Sequence, residues 1–403
     1  MRLAGGRDFR LILGAGIVSQ LGDWSARLAL ALLVLERGGG PAVVGVVGML
    51  FTIPWLGPGQ MLTAWSAKFP RRTVMVVADT IRAVVFLAIG ISDLSTAPML
   101  VLVGIAAMAD PAFEATKSAL ITDVVTKDEY AGAIQMVHVT NQSSSLIGYA
   151  LGGVLVGFVG ASTTLTLNGL SFALSTFLIL MITNRGFHED EAREQPSLRN
   201  GIRFLRGDPI SALAFGVTLL AATMAMSVES QVAVYGQVVA GLDDELIGIL
   251  SAVTPAATLI AVAFMRMEGT DGELLTRVLL IGAVASGGAC ALLWWGGGEV
   301  VTFAAFALVG VVFLVVTTTN VVVGRRLPDT NRVSIFSILQ SGVFLGLSLG
   351  ALLGGVVSEA TSPEISAGLA LLVCTVGLVL ALPFAFDRPK YTDFKPRTRW
   401  SKV

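Results

Sequence analysis

Apolar runs of about 20 residues recur along almost the whole chain, separated by short polar or glycine- and proline-rich breaks. A helix needs roughly 20 predominantly apolar residues to cross a bilayer, so each run is a spanning candidate. The pattern predicts twelve such helices, at 11–35, 42–66, 73–92, 97–120, 132–157, 161–183, 209–238, 245–266, 274–295, 300–323, 333–357 and 364–386. The breaks carry residues that end helices: Gly38-Gly39-Gly40-Pro41, Ser95 to Pro98, Gly296-Gly297-Gly298 and Ser362-Pro363. A glycine triplet between two spans is a tight turn rather than a flexible spacer.

Composition agrees with this pattern. Only 14% of the 403 residues are charged and 54% are hydrophobic, whereas soluble domains carry roughly 25% charged residues. A soluble protein is excluded, and an all-α polytopic membrane protein is expected. The net charge of −1 gives no global basic field to attract nucleic acid. Where the charges sit is more informative than their sum. Alternate loops, counted from the N-terminus, hold 24 of the 27 Lys and Arg residues; the opposite loops hold Arg37 alone, and Arg27 and Arg82 fall inside spans. The positive-inside rule then places both termini in the cytoplasm. The first apolar segment contains Asp23 and Arg27 and lacks a small-residue cleavage site, so it is expected to remain as a helix. Cys290 and Cys374 lie in spans without ligand-type neighbours and are expected as small apolar packers, with no metal site.

The longest cytoplasmic gap divides the spans six and six. The expected organisation is an N-terminal half over 1–183, a linker over 184–208, a C-terminal half over 209–386 and a basic cytoplasmic tail over 387–403. Within the linker, Leu198, Ile202 and Leu205 recur at helical spacing between arginines, the pattern of a short amphipathic helix on the inner membrane surface; a solvated linker is the alternative. Gly148-Tyr149-Ala150-Leu151-Gly152-Gly153 repeats as Gly350-Ala351-Leu352-Leu353-Gly354-Gly355 at an offset of 202 residues, half the chain. Small residues at this spacing let helices approach closely in lipid, so Gly148, Gly152, Gly153, Gly350, Gly354 and Gly355 are expected to pack helices. Two six-helix pseudo-repeats with a site between them is a plan of many secondary transporters.

Several stretches, in this order, resemble the major facilitator superfamily, and within it the twelve-span bacterial drug and macrolide exporters, a branch that includes enterobactin-type exporters. They are Gly22-Asp23, Ala78-Asp79-Thr80-Ile81-Arg82-Ala83, Phe113 to Asp123, Gly148 to Gly153, Asn200 to Leu205, and Arg325-Arg326-Leu327-Pro328-Asp329. The family loop between helices 2 and 3 reads G-x-x-x-D-R-x-x-R-R and latches the halves on the cytoplasmic side. Here Thr63 stands for the Gly, Ala67 for the Asp and Lys68 for the first Arg, while Arg71 and Arg72 agree. The latch lacks its carboxylate unless Asp79 substitutes. The family's antiporter-type motif has Gly-Pro where this chain has Gly148-Tyr149.

Charges at mid-membrane cost about 2.5–3.5 kcal/mol each on insertion scales and need a partner or a function. Asp23 and Arg27, Asp79 and Arg82, and Asp110 and Glu114 each lie one turn apart, and Glu229 stands alone. Asp23, near the middle of its span, is the first candidate for carrying a proton or reading substrate; a static ion pair with Arg27 is the alternative. Arg27 and Glu229 fall at similar depths in equivalent helices, where a salt bridge would close the outer gate. Asp79, Arg82, Asp110 and Glu114, together with Lys68, Arg71 and Arg72, are expected as an inner-gate charge network, with Pro111 kinking its helix beside Asp110. Gln20, Asn141 and Gln142 are candidate cavity residues, although bonding between helices is equally expected of them. His138 lies toward the inner end of its span. Trp55, Trp65, Trp294 and Trp295 sit near span ends, where interfacial anchoring is the default.

These features point to a secondary active transporter of the bacterial cytoplasmic membrane that exports a lipophilic or amphipathic small molecule by alternating access against proton entry. It is expected to act as a monomer in the lipid bilayer without a cofactor. No Walker motif or catalytic constellation supports ATP drive or enzymatic activity. A proton-coupled importer or metabolite facilitator, and a transport-incompetent sensor or scaffold of the same fold, are the alternatives.

Overall fold

Glycine and proline turn the apolar runs into discrete helices. The computed structural model describes residues 6–56, 58–66, 68–183, 198–296, 298–328 and 332–386. The linker before Leu198, Ala67, Asp329, the basic tail 387–403 and the side chains of His138, Gln142 and Leu198 lie outside what is described. The described helices are α1 (Arg7–Glu36), α2 (Pro41–Thr52), α3 (Pro58–Ser66), α4 (Arg71–Ile91), α5 (Thr96–Met108), α6 (Asp110–Val124), α7 (Lys127–Val159) and α8 (Ala161–Leu180), then α9 (Leu198–Gly207), α10 (Pro209–Glu229), α11 (Val232–Val234), α12 (Asp244–Phe264), α13 (Asp271–Trp295), α14 (Gly298–Arg326), α15 (Arg332–Ala360) and α16 (Pro363–Phe386). No strand occurs among the described residues. Eleven helical segments are long and apolar enough to cross a membrane, and Pro41–Trp55 is a shorter apolar helix. The outward surface is itself apolar, with Ile91, Phe158, Val284 and Phe384 exposed, as a bilayer requires.

Three breaks depart from the expected spans. The run 42–66 is not one helix: α2 ends in a 3₁₀ turn at Ile53–Trp55, and α3 starts afresh at Pro58. Pro54 and Pro58 bring no N–H to a helical ladder, and the helix is interrupted between them. The run 97–120 is divided at Ala109, with Pro111 in the first turn of α6. The run 209–238 breaks at Ser230 and Gln231 and resumes as α11 and a wide π turn at Tyr235–Val239. Other ends are conventional. Gly160, at φ 82°, closes α7, and Thr270 with Glu273 forms a capping box on α13.

Helix packing repeats between the two parts of the chain. α1 packs on α7 and α8, and α4 on α8; correspondingly α10 packs on α15 and α16, and α13 on α16. The two most extensive crossings between the parts are α2 with α15 and α7 with α12. The glycine motifs explain both kinds of contact. A Cβ at Gly148 would meet Trp24 Cβ at 2.7 Å, and one at Gly152 would meet Ser25 Cα at 2.9 Å, both on α1. Gly350 and Gly354 meet Thr223 and Ser227 of α10 in the same way. The third glycine of each motif crosses between the parts: Gly153 lies against Gly248 of α12, and Gly355 against Pro41, Ala42 and Gly45 of α2. Each motif therefore sets two internal contacts and one crossing contact.

These crossings lie toward one end of the bundle, opposite the start of α1. At this distal seam Ala42 N donates to Glu359 Oε2 at 2.9 Å, and Glu245 of α12 lies against Gly157 of α7. Deeper along α2, Ser348 donates to Thr52 at 2.8 Å and Trp55 stacks on Phe344 at 5.1 Å. Trp55 thus bridges the two parts rather than merely anchoring a span end, whereas Trp294 and Trp295 are exposed.

The proximal end, where α1 begins, is held by ion pairs within each part. Arg71 Nη1 donates to Asp123 at 2.5 Å and to Ala119 O at 3.0 Å. Arg72 donates to the carbonyls of Ile179 and Leu180, which end α8. In the second part the charges are exchanged: Asp271 pairs with Arg326 at 3.2 Å and Arg325 at 3.7 Å, and Arg326 also grips Asp208 at 2.6 and 2.7 Å. Burial pushes the Asp208 carboxyl up, but the hydrogen bonds from Arg326 and Ser211 outweigh it and hold the group below its ordinary value. A depressed carboxylate stabilises the fold above its unfolded pKa and loses that contribution as pH falls through the folded value. Asp208→Asn is expected to cost about 1.5–3 kcal/mol at neutral pH, with the difference from the parent vanishing in acid. Thermal melts between pH 3 and 7 check both points; a constant difference would remove the ionised pair from the account.

Candidate functional site

Most of the charges inside the apolar bundle belong to the first part of the chain, and the structure sorts them by how firmly each is held. Asp79 of α4 is fully buried and saturated: one oxygen accepts from Arg82 at 2.5 Å and the other from Ser175 of α8 at 2.6 Å. Arg82 also reaches Asp110 at 3.2 Å, and its guanidinium lies between the rings of Phe113 and Phe172, at 4.5 and 4.6 Å. Ring faces are attractive to a cation and cost little desolvated polarity, so Arg82 is fixed in place. Lys117 pairs with Glu114 at 2.5 Å and sits against Gly16 of α1.

Asp23 and Arg27 are held more loosely. They pair at 3.3 Å one turn apart on α1, and Arg27 stacks over Trp24 at 4.1 Å and Phe51 of α2 at 4.5 Å. The Nε of Arg27, like that of Arg82, is buried without a partner. Gly22 lets α1 lie close to Asn168 and Ser171 of α8, so the Gly22-Asp23 pair both seats the helix and carries the charge. Trp24 packs on Tyr149 of α7 at 5.1 Å. Glu229, at the end of α10, feels Arg27 as its main charged neighbour, but among the described residues no ion pair within 4.0 Å joins them. Gln20 Oε1 is buried without a partner, and Asn141 is half-buried on α7.

Between these groups lies a void of about 10 Å³, lined by Asp23, Phe51, Arg82, Phe86, Ala106, Ala107 and Asp110. It has room for about one water molecule. Asp23 and Asp110 line it, and with Asp79 and Glu229 nearby they are served, among the described residues, by the guanidiniums of Arg27 and Arg82. The balance is negative, and in an apolar interior unbalanced charge is costly. A proton or a cationic ligand restores it.

The structure therefore joins Asp23, Arg82 and Asp110 around one void and brings Arg27 near Glu229. The other expected charges make contacts within the first part. Arg71 and Arg72 bind Asp123 and the end of α8 within their own part of the chain, and Lys68 is exposed. Asp79 is engaged within the first part, by Arg82 of its own helix and by Ser175 of α8. The sequence reading missed Ser175 and Tyr149. Asn168, Ser171 and Ser175 do form a polar stripe at helical spacing on α8, a signal that one sequence carries; Tyr149 was marked only as the residue at the Pro position of the antiporter-type motif.

A model of the Major Facilitator Superfamily matches residues 12–269. The chain is 25% identical over 381 residues to the uncharacterised MFS-type transporter YfiS of Bacillus subtilis (strain 168), covering 92% of this chain and 90% of that protein. It is 23% identical over 212 residues to the multidrug efflux pump Tap of Mycobacterium tuberculosis (strain CDC 1551 / Oshkosh), 48% of this chain and 50% of Tap. The chain thus matches about half the length of Tap. Among solved structures, a bacterial homologue of the human lysosomal transporter Spinster, inward-facing and unoccupied, superposes with TM-score 0.71 at 15% identity, over 94% of this chain and 96% of that one. The POT family transporter PepTSo gives TM-score 0.74 at 13% identity, over 94% and 97%. The nucleoside transporter NupG gives 0.70 at 16% identity, over 93% and 100%.

Proposed function

Because the chain belongs to the major facilitator superfamily, a family of transporters rather than enzymes, we propose that it is a secondary active exporter that moves a lipophilic or amphipathic small molecule out of a bacterial cell against proton entry. One observation carries this reading: the crossings α2–α15 and α7–α12 close the distal end over a buried, negatively unbalanced charge cluster. The distribution of Lys and Arg supports a cytoplasmic proximal end. With α2 and α3 counted together as the second of twelve spans, the structure is then an inward-facing conformation of a monomeric carrier in the cytoplasmic membrane. The efflux direction rests on the likeness to Tap, since the solved neighbours speak for the fold alone.

In this reading Asp23 takes up the coupling proton. Arg27 lies between Asp23 on its own helix and Glu229 across the parts, so the distal closure brings a cation to Glu229 and opening withdraws it. The test uses proteoliposomes with an acidic lumen and ethidium added outside, the dye's uptake being scored for protein in the inside-out orientation. The parent is expected to move dye and protons in opposite directions. Asp23→Asn is expected to lose at least about tenfold of the gradient-driven rate, the effect of a contribution near 1.4 kcal/mol. Dye movement that ignores the gradient in the parent would leave a facilitator instead. For the Arg27–Glu229 contact, the exchanged protein (Arg27→Glu with Glu229→Arg) is expected to recover activity that each single change loses, and no recovery would count against a direct pairing.

A further inference from the structure

The carboxylates around the void differ in what holds them. Asp79 has both oxygens taken at 2.5 and 2.6 Å and no exposure, so protonating it would break contacts already made. Asp110 has a single bond to Arg82 at 3.2 Å, and its side chain is 23% exposed. Asp23 has a single bond at 3.3 Å to Arg27. Both of these loosely held carboxylates line the same small void, and the remaining lining is Phe51, Phe86, Ala106 and Ala107 besides Arg82. Arg82 is the one cation on the void wall, and it is shared with Asp79. Asp23, Asp79 and Asp110 share two guanidiniums, Arg27 and Arg82, and three carboxylates with two counter-charges in an apolar interior cannot all remain ionised cheaply. The other charged or titratable groups facing this region are Glu114 and Lys117, which pair with each other on α6, Tyr149 on α7 and Glu229 on α10. None of these is a second cation free to serve Asp110.

Phe51 gives the void a mechanical connection. It belongs to α2, lies over Arg27 and forms part of the void wall. The same helix carries Gly45 against Gly355 and Thr52 against Ser348, contacts that hold the distal seam. Parting the seam moves α2 and with it the ring that covers the carboxylates.

We propose that Asp23 and Asp110 form one proton-binding unit, sharing a single coupling proton across the void with Arg82 as fixed counter-charge, and that Phe51 on α2 links its occupancy to the distal seam. This rests on the reading of the protein as a proton-coupled carrier. The proton comes from water on the distal side when the seam is open and leaves to water on the proximal side when it is closed; no bond other than O–H forms or breaks.

The test needs no substrate. Spin labels at Ser92→Cys and Thr361→Cys, in a protein with Cys290 and Cys374 replaced by alanine and held in lipid nanodiscs, report the distal separation between pH 5 and 9. A one-proton transition is expected in the parent. Asp23→Asn and Asp110→Asn are each expected to abolish it, the double replacement to add nothing, and Asp110→Glu to keep the slope with a shifted midpoint. Asp79→Asn is expected to retain the transition in whatever fraction folds. An Asp110→Asn protein with the parent's midpoint and slope, or a parent whose distal separation ignores pH, overturns the proposal. If the transition behaves as stated while proteoliposomes show no dye-coupled proton flux, the antiport reading fails and the proton site stands.

Discussion

Gly153→Leu is expected to hold the distal seam open and to reduce transport by at least about tenfold. The crossing of α7 and α12 is made at Gly153 and Gly248, whose backbones touch: a Cβ at Gly153 would lie 2.7 Å from Gly248 N and 2.8 Å from Asp244 O. Neither obstacle is the flexible end of a side chain, so closure with leucine requires the two helices to separate. Overpacking of this kind costs about 1–3 kcal/mol, which displaces a two-state equilibrium roughly 5- to 150-fold. Because the clash lies between the two parts and not within either, folding of each part is spared. Distal cysteine labelling should therefore rise while thermal stability stays near that of the parent. The matching change at Gly355, whose Cβ would meet Pro41 O at 2.5 Å, is expected to act the same way through α2. Gly152→Leu is the contrasting case. That glycine packs on Ser25 within the first part, so its replacement should lower stability without favouring an open seam. Equal labelling in the Gly153 and Gly152 variants would remove the distinction between crossing and internal glycines.

Arg82→Ala is expected to destabilise the protein by about 3–5 kcal/mol, the usual effect of removing one partner from a buried ion pair. Arg82 serves Asp79 and Asp110 and fills the space between Phe113 and Phe172, so alanine strands two carboxylates and opens a gap between rings. Arg82→Lys should recover part of the loss. An ammonium supplies charge but not the planar fork that reaches two carboxylates while lying flat between rings. Unfolding followed by circular dichroism in detergent measures the order parent, lysine, alanine. If alanine melts with the parent, the network contributes nothing to stability. An Arg82→Ala, Asp79→Asn double variant should lose less than the sum of the two single changes, because the asparagine no longer leaves a charge unpaired.

The departures of the structure from the sequence pattern have specific causes. Hydropathy reported that 42–66 was apolar enough to span but did not weigh Pro54 and Pro58 against a continuous ladder. The glycine repeat was legible as helix packing. Its division into internal contacts on α1 and α10 and crossing contacts on α12 and α2 depends on which face of each helix meets which neighbour, a quantity no single-sequence period contains. The charge list was complete in its main members, since a charge within an apolar run is conspicuous. Its grouping was not. Arg71 and Arg72 resemble a latch between halves by motif, yet they neutralise Asp123 and cap α8. Asp110, grouped by sequence with the inner-gate charges, lines a void with Asp23, 87 positions away.

What the sequence by itself determined is therefore the solvent of this protein, its helical class, its internal repetition and the short list of buried charges. Hydrophobic run length, helix-ending residues and charge scarcity are local or additive properties, and a bilayer reads them one segment at a time. Only the tertiary structure decided which charges share a proton-sized space, which carboxylate is already saturated, and which end of the bundle is closed. Those depend on distances between residues far apart in the chain, set by how closely glycine-bearing helix faces approach.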